Sequence, residues 1–189
     1  MSISAIDICN AALLRLGQEP ITSFEDGTRL ADNIKLQWPV VRDRVLRSHD
    51  WPSAVKRVDL TPMEPKTAVW DKWYRYNLPA DYLRMLEIKP ENVQFRVEGM
   101  NILADTSEGI SIRYIYRNEE TGSYDAGLVD ALVTAMVKAV SFGLTQSLSL
   151  AQLSTAEFQQ GLQEARAVTI TERDQIDSDE YYDWLTSRF

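Results

Sequence analysis

The chain is poor in the residues that make reactive sites. It has one cysteine, Cys9, and one histidine, His49, among 189 residues. An intrachain disulfide is therefore impossible, and a structural zinc site has too few ligands. A single cysteine also fits a reducing compartment. Neither the phosphate-cradling GxxxxGK pattern nor GxGxxG occurs, and no calcium-loop spacing of carboxylates around a central glycine is found. Basic charge is short as well: 20 Lys and Arg against 28 Asp and Glu leave a formal net charge of −8. That balance suits nucleic-acid binding poorly, since gripping phosphates rests on neutralisation by cations. The start, Met1 to Asp7, lacks the basic and apolar regions of a signal peptide. The most apolar run, Leu128 to Leu144, is interrupted by Asp130 and Lys138 and is shorter than the ~20 apolar residues of a bilayer span. No membrane segment is expected.

What is present is enough to fold: 44% hydrophobic and 25% charged residues. Ile6, Cys9, Leu13 and Leu16 recur at helical spacing, capped by Ser4 with Asp7 three residues on and stopped by Gly17. A second helix starts near Thr28, with Leu30, Ile34, Trp38, Val41 and Val45 as its buried stripe. Pro39 lies inside it and is expected to bend or split it. Six strands follow: Ala54–Leu60, Trp73–Asn77, Leu83–Ile88, Val93–Glu98, Asn101–Ala104 and Ile110–Arg117. Glu98-Gly99-Met100-Asn101 reads as a tight hairpin turn, Thr106 to Gly109 as another, and Thr61 to Lys66 as an exposed loop. Short connections favour an antiparallel meander. Helix returns after a cap at Asp125, apolar around most of its girth, and a last helix is expected from about Ser149 to Arg173. The expected fold is α+β: a mostly helical body of four main helices (4–17, 28–48, 125–146, 149–173) with an antiparallel β-meander insertion at 52–118.

The tail, 174–189, is acidic yet carries Ile176, Tyr181, Tyr182, Trp184, Leu185 and Phe189. Disordered acidic segments are usually poor in aromatics, whereas interfaces use them as anchors. It is read as an arm that packs on another subunit or partner.

No catalytic or metal-binding residue is assigned and no cofactor is expected. His49 beside Asp50 and Trp51 has no nucleophile signature near it and is read as a packed residue. The acidic residues most worth inspecting for glycan cleavage are Glu87 with Glu98, on adjacent expected strands, and Asp81. Arg42, Asp43, Arg44 and Arg47 cluster near the end of the second helix, where cations complement the helix dipole; a salt-bridged subunit contact is the alternative.

Several segments together resemble one family. They are Asn10 to Gly17 (NAALLRLG), Ile21 to Phe24 (ITSF), Pro39 to Asp43 (PVVRD), Leu46 to Trp51 (LRSHDW) and Tyr76 to Tyr82 (YNLPADY), with Ala165-Arg166 late in the chain. The segments are similar to the head-to-tail adaptor proteins of short-tailed bacteriophages, often called tail tubular protein A. Pro52-Ser53-Ala54 departs from the family's pattern after the tryptophan, so the first strand is free to begin later. The resemblance marks Leu13, Gly17, Phe24, Arg42, Asp43, Trp51, Tyr76, Leu78, Pro79 and Asp81 as structural. It implies a dodecameric ring between the portal protein and the tail nozzle protein, extending the DNA channel of the virion. DNA would pass without specific binding. Assembly would take place in the host bacterial cytoplasm, with the C-terminal arm reaching the portal and the isolated chain a monomer. The alternative is a virion-associated peptidoglycan or polysaccharide hydrolase, an activity credited to some relatives; a generic interaction domain is a third.

Overall fold

A computed structural model describes residues 3–63, 73–145, 156, 158–165 and 167. The fold is α+β. The chain divides into two compact units, Met1–Val45 with Thr121–Phe189, and Leu46–Glu120.

The first unit is helical. Helix α1 spans Ala5–Arg15. Ser4 and Asp7 close a reciprocal capping box at its start. At its end Gln18 N–H bonds the Leu13 carbonyl and Gly17 N–H that of Leu14, both at 3.0 Å. This is a Schellman motif, and it needs a residue at positive φ; Gly17 supplies φ +67. The buried stripe is Ile8, Cys9, Ala12 and Leu13. Of the residues expected at helical spacing, Cys9 and Leu13 are buried and Ile6 and Leu16 are half-buried. Helix α2 spans Arg29–Ser48 and passes through Pro39 without a break, so the expected split does not occur. The Thr28 hydroxyl accepts from Ala31 N–H at 3.1 Å to start it. Its buried face is Ala31, Ile34, Trp38, Val41, Val45 and Leu46, shifted by one residue from Leu30 at the start. Helix α3, Ala126–Thr145, begins at Asp125, whose carboxylate accepts from Leu128 N–H at 2.9 Å. It is buried around most of its girth and packs on α1. Residues 158–165 are helical again. The arm residues Ile176, Tyr181, Tyr182, Trp184, Leu185 and Phe189 lie outside the described residues.

Among its described residues the second unit holds six strands: β1 Val55–Leu60, β2 Tyr74–Asn77, β3 Tyr82–Lys89, β4 Phe95–Glu98, β5 Asn101–Ala104 and β6 Ile110–Tyr116. Every pairing is antiparallel. The strands form two three-stranded sheets, ordered β1-β6-β3 and β2-β5-β4. The first strand does begin late: Pro52–Ala54 is a 3₁₀ turn, as proline at its start favours. Part of the loop expected at Thr61 to Lys66 is bridged, Met63 to Arg75, and 64–66 fall outside the described residues. The two sheets share one apolar core: Tyr76, Ile102 and Ala104 from one, Ile88, Ile110, Ile112 and Tyr114 from the other.

Candidate functional site

The richest polar cluster gathers at the YNLPADY segment. Leu78 N–H bonds the Met100 carbonyl at 2.9 Å, and Tyr82 N–H bonds that of Pro79 at 3.0 Å. The second bond closes a four-residue turn that Pro79 opens and that has Ala80 and Asp81 at its centre. The bend delivers Asp81 to the end of β3, where its carbonyl accepts from Arg117 N–H at 2.7 Å. The Asp81 carboxylate meets Lys56 Nζ at 2.7 Å and accepts from the Tyr114 hydroxyl at 3.0 Å. The Lys56 ammonium also lies 3.8 Å from the centre of the Tyr116 ring, a cation–π contact. Tyr82 stacks on Tyr114 with ring centres 5.9 Å apart. A shallow cleft of about 440 Å³ opens beside this cluster, lined by Lys56, Asp81, Tyr116 and 117–120. Asn118 anchors the far wall, donating to the Ser53 carbonyl at 2.7 Å and accepting from Glu120 N–H at 3.0 Å.

The electrostatics say what the cluster can do. Desolvation pushes the Asp81 carboxyl upward, but hydrogen bonds from Lys56 and Tyr114 outweigh it and hold the group below the usual carboxylate range. Burial, then the bond to Asp81, pushes the Tyr114 hydroxyl well above its ordinary value. Asp81 is thus a fixed anion and Tyr114 a fixed donor. A glycosidase acid needs the reverse, a carboxyl raised towards neutrality.

The other acidic pair is corrected. Glu87 and Glu98 are not on adjacent strands; β3 and β4 belong to different sheets. Glu87 pairs with Arg113 at 3.4 Å and with Lys89 at 3.8 Å. Glu98 closes the β4–β5 hairpin opposite Asn101, where Gly99 has φ +58. His49 is buried and meets Trp51 edge-on with ring centres 4.7 Å apart. Asp50 is paired with Arg84. The expected arginine cluster also needs correction. Helix α2 continues to Ser48, so Arg42 and Asp43 are not in its last turn. They bond each other at 2.9 Å, with Arg42 buried. Arg47 is in the last turn, yet its guanidinium donates to the Leu83 carbonyl on β3.

The remaining marked residues are scaffolding. Leu13, Trp51, Tyr76 and Leu78 are buried. The Tyr76 hydroxyl reaches the carbonyls of Thr106 at 2.8 Å and Glu108 at 2.6 Å, pinning the loop before β6. Asn10 and Ile21, from the first two resembling segments, exchange two hydrogen bonds of 2.9 Å. Thr22 likewise clasps Asp26 across the turn that holds half-buried Phe24. Among the described residues no group of three His, Cys, Asp or Glu side chains converges as a metal site, and no helix is long and apolar enough to cross a membrane. Lys56 and Tyr114 were not singled out by sequence; they are 25 and 33 residues from Asp81, beyond any local pattern. No protein-family model matches the chain, and no curated protein matches it.

Proposed function

We propose that the chain is a structural head-to-tail connector of a short-tailed phage virion. Copies form a ring, dodecameric by the resemblance, between portal and tail nozzle, and the ring extends the DNA channel. One observation carries the reading: the segments that resemble the adaptor family are spent on holding the chain's own shape. Asn10 clasps Ile21, Tyr76 pins 106–108, and Asp81 is tied to Lys56 and Tyr114. Residues so occupied build surfaces and leave little for covalent chemistry. The net charge of −8 favours a channel wall past which DNA slides without sticking. The aromatic residues between Ile176 and Phe189 are the proposed portal anchors. As the general acid of the hydrolase alternative Asp81 draws no support, since its carboxyl is held ionised.

Mixing the full chain with portal protein tests this. A ring-bearing complex seen by particle imaging and native mass, lost on deleting 176–189 while the melting temperature holds, is the expected result. No association with portal overturns it.

A further inference from the structure

Strand β4 ends its sheet, and among the described residues no strand pairs with its outer side. All four of its residues are exposed. Its backbone directions follow from one bond: Asp105 N–H donates to the Gln94 carbonyl at 3.1 Å. Hydrogen-bonding directions alternate along an antiparallel ladder, so Arg96 and Glu98 also turn their backbone groups to β5. Those of Phe95 and Val97 aim outward. Their side chains stand opposite Ala104 and Ile102. Directly opposed residues project to one face. Ala104 and Ile102 are both 0% exposed within the core, while Phe95 and Val97 are 37% and 40% exposed. The apolar face of the core therefore runs one strand further than its cover. Edge strands are commonly protected by shortness, charged side chains, proline or bulges. β4 is short and carries Arg96 and Glu98, but it has no proline or bulge and keeps a regular register with β5.

We propose that β4 pairs antiparallel with β4 of a second copy, Val97 against Val97. The charges choose both occupant and register. With Val97 at the twofold axis, Arg96 of each copy stands opposite Glu98 of the other. Sliding by one pleat repeat in either direction sets Arg96 against Arg96 or Glu98 against Glu98. Like charges in direct opposition destabilise, so one register survives. Phe95 and Val97 of both copies then form one apolar strip beside the two cores. Arg96 also lies over the Trp73 ring at 4.7 Å, a cation–π contact. The contact is isologous and closes at two copies. It does not rest on the portal reading. Four residues per copy bury far less than the ~1,600 Å² of a standard interface, so the pair is weak and depends on concentration. It replaces the monomer expected of the isolated chain at high concentration.

Sedimentation equilibrium of the full chain, without portal, tests it. The weight-average mass should rise from 21.6 kDa towards twice that value as concentration increases. Val97→Pro removes an outward N–H and spares the bonds to β5, so it should stay at the single-chain mass with an unchanged far-UV spectrum. Arg96→Glu should weaken association about tenfold, and Arg96→Glu with Glu98→Arg should restore it. A single-chain mass at every concentration overturns the proposal. So does Val97→Pro associating like the parent, or the double variant staying as weak as the single.

Discussion

The two sheets of the second unit share a core but are finished differently at their margins. In the sheet β1-β6-β3, the central strand β6 is flanked on both sides. Lys56–Asp81, Arg84–Asp50 and Arg113–Glu87 tie its strands to each other and to the segments beside them. In the sheet β2-β5-β4, the last strand is exposed along its whole length. The difference teaches where the stability and where the association should lie. Apolar area buried on both sides stabilises the chain itself; the same kind of side chain on an open edge is available to a neighbour.

The sharpest break in that comparison is a matched pair of truncations. Ile112 in β6 is 1% exposed and belongs to the shared core. Ile112→Ala should lower unfolding free energy by about 3 kcal/mol, the usual loss when a buried isoleucine leaves a cavity. Val97→Ala in β4 should change it by less than about 0.5 kcal/mol, because Val97 is already 40% exposed at an open edge. Urea melts of the two variants, at a concentration where the chain is single, measure both. Similar losses would mean that β4 is covered in solution.

A smaller effect concerns the ion-paired margin. The folded-state Asp81 carboxyl lies below its ordinary value. Its contribution is therefore present above the unfolded value of about 3.9 and is lost as pH falls through the lower folded one. Asp81→Asn should cost about 1 kcal/mol at neutral pH, a figure kept low because the Lys56 side chain is 46% exposed and water screens the pair. Once the pH falls below that folded value the parent and Asp81→Asn should converge, since the parent's carboxylate is then protonated too. A constant gap from neutral pH to acid would remove the carboxylate charge as the cause.

These sites differ in how far the sequence reveals them. The capping box of Ser4 and Asp7, the Gly17 stop, the Gly99 turn and the Asp125 cap were legible because each is settled within six residues. β6 was legible as a strand too, since Ile110, Ile112 and Tyr114 are buried on one face. The helical spacing of α1 was legible, but that Ile8 and Ala12 join Cys9 and Leu13 in its buried stripe was not, because packing on α3 decides which residues turn inward. The division into two sheets was not legible at all. It depends on β1 pairing with β6 across 55 to 115, and on β3 leaving β4 for β6. Sequence cannot weigh such distant pairings against adjacent ones. The false adjacency of Glu87 and Glu98 came from the same gap.

The helical unit has a long-range surface pair of its own. Arg15, in the last turn of α1, reaches Asp130 on α3 at 2.8 Å and the Thr134 hydroxyl at 3.1 Å. Its geometry resembles that of Lys56–Asp81, yet the side chains are 47% and 65% exposed. Exposed pairs gain little, because water competes for both charges and two long side chains lose rotamer freedom. Asp130→Ala should therefore change stability by no more than about 0.5 kcal/mol, and half-molar salt should erase the difference by screening. Thr134 is buried, so Arg15 retains one anchored bond when Asp130 is gone. A loss near that of Asp81→Asn would show that partial burial of the acceptor, more than exposure of the ion pair, governs these contacts.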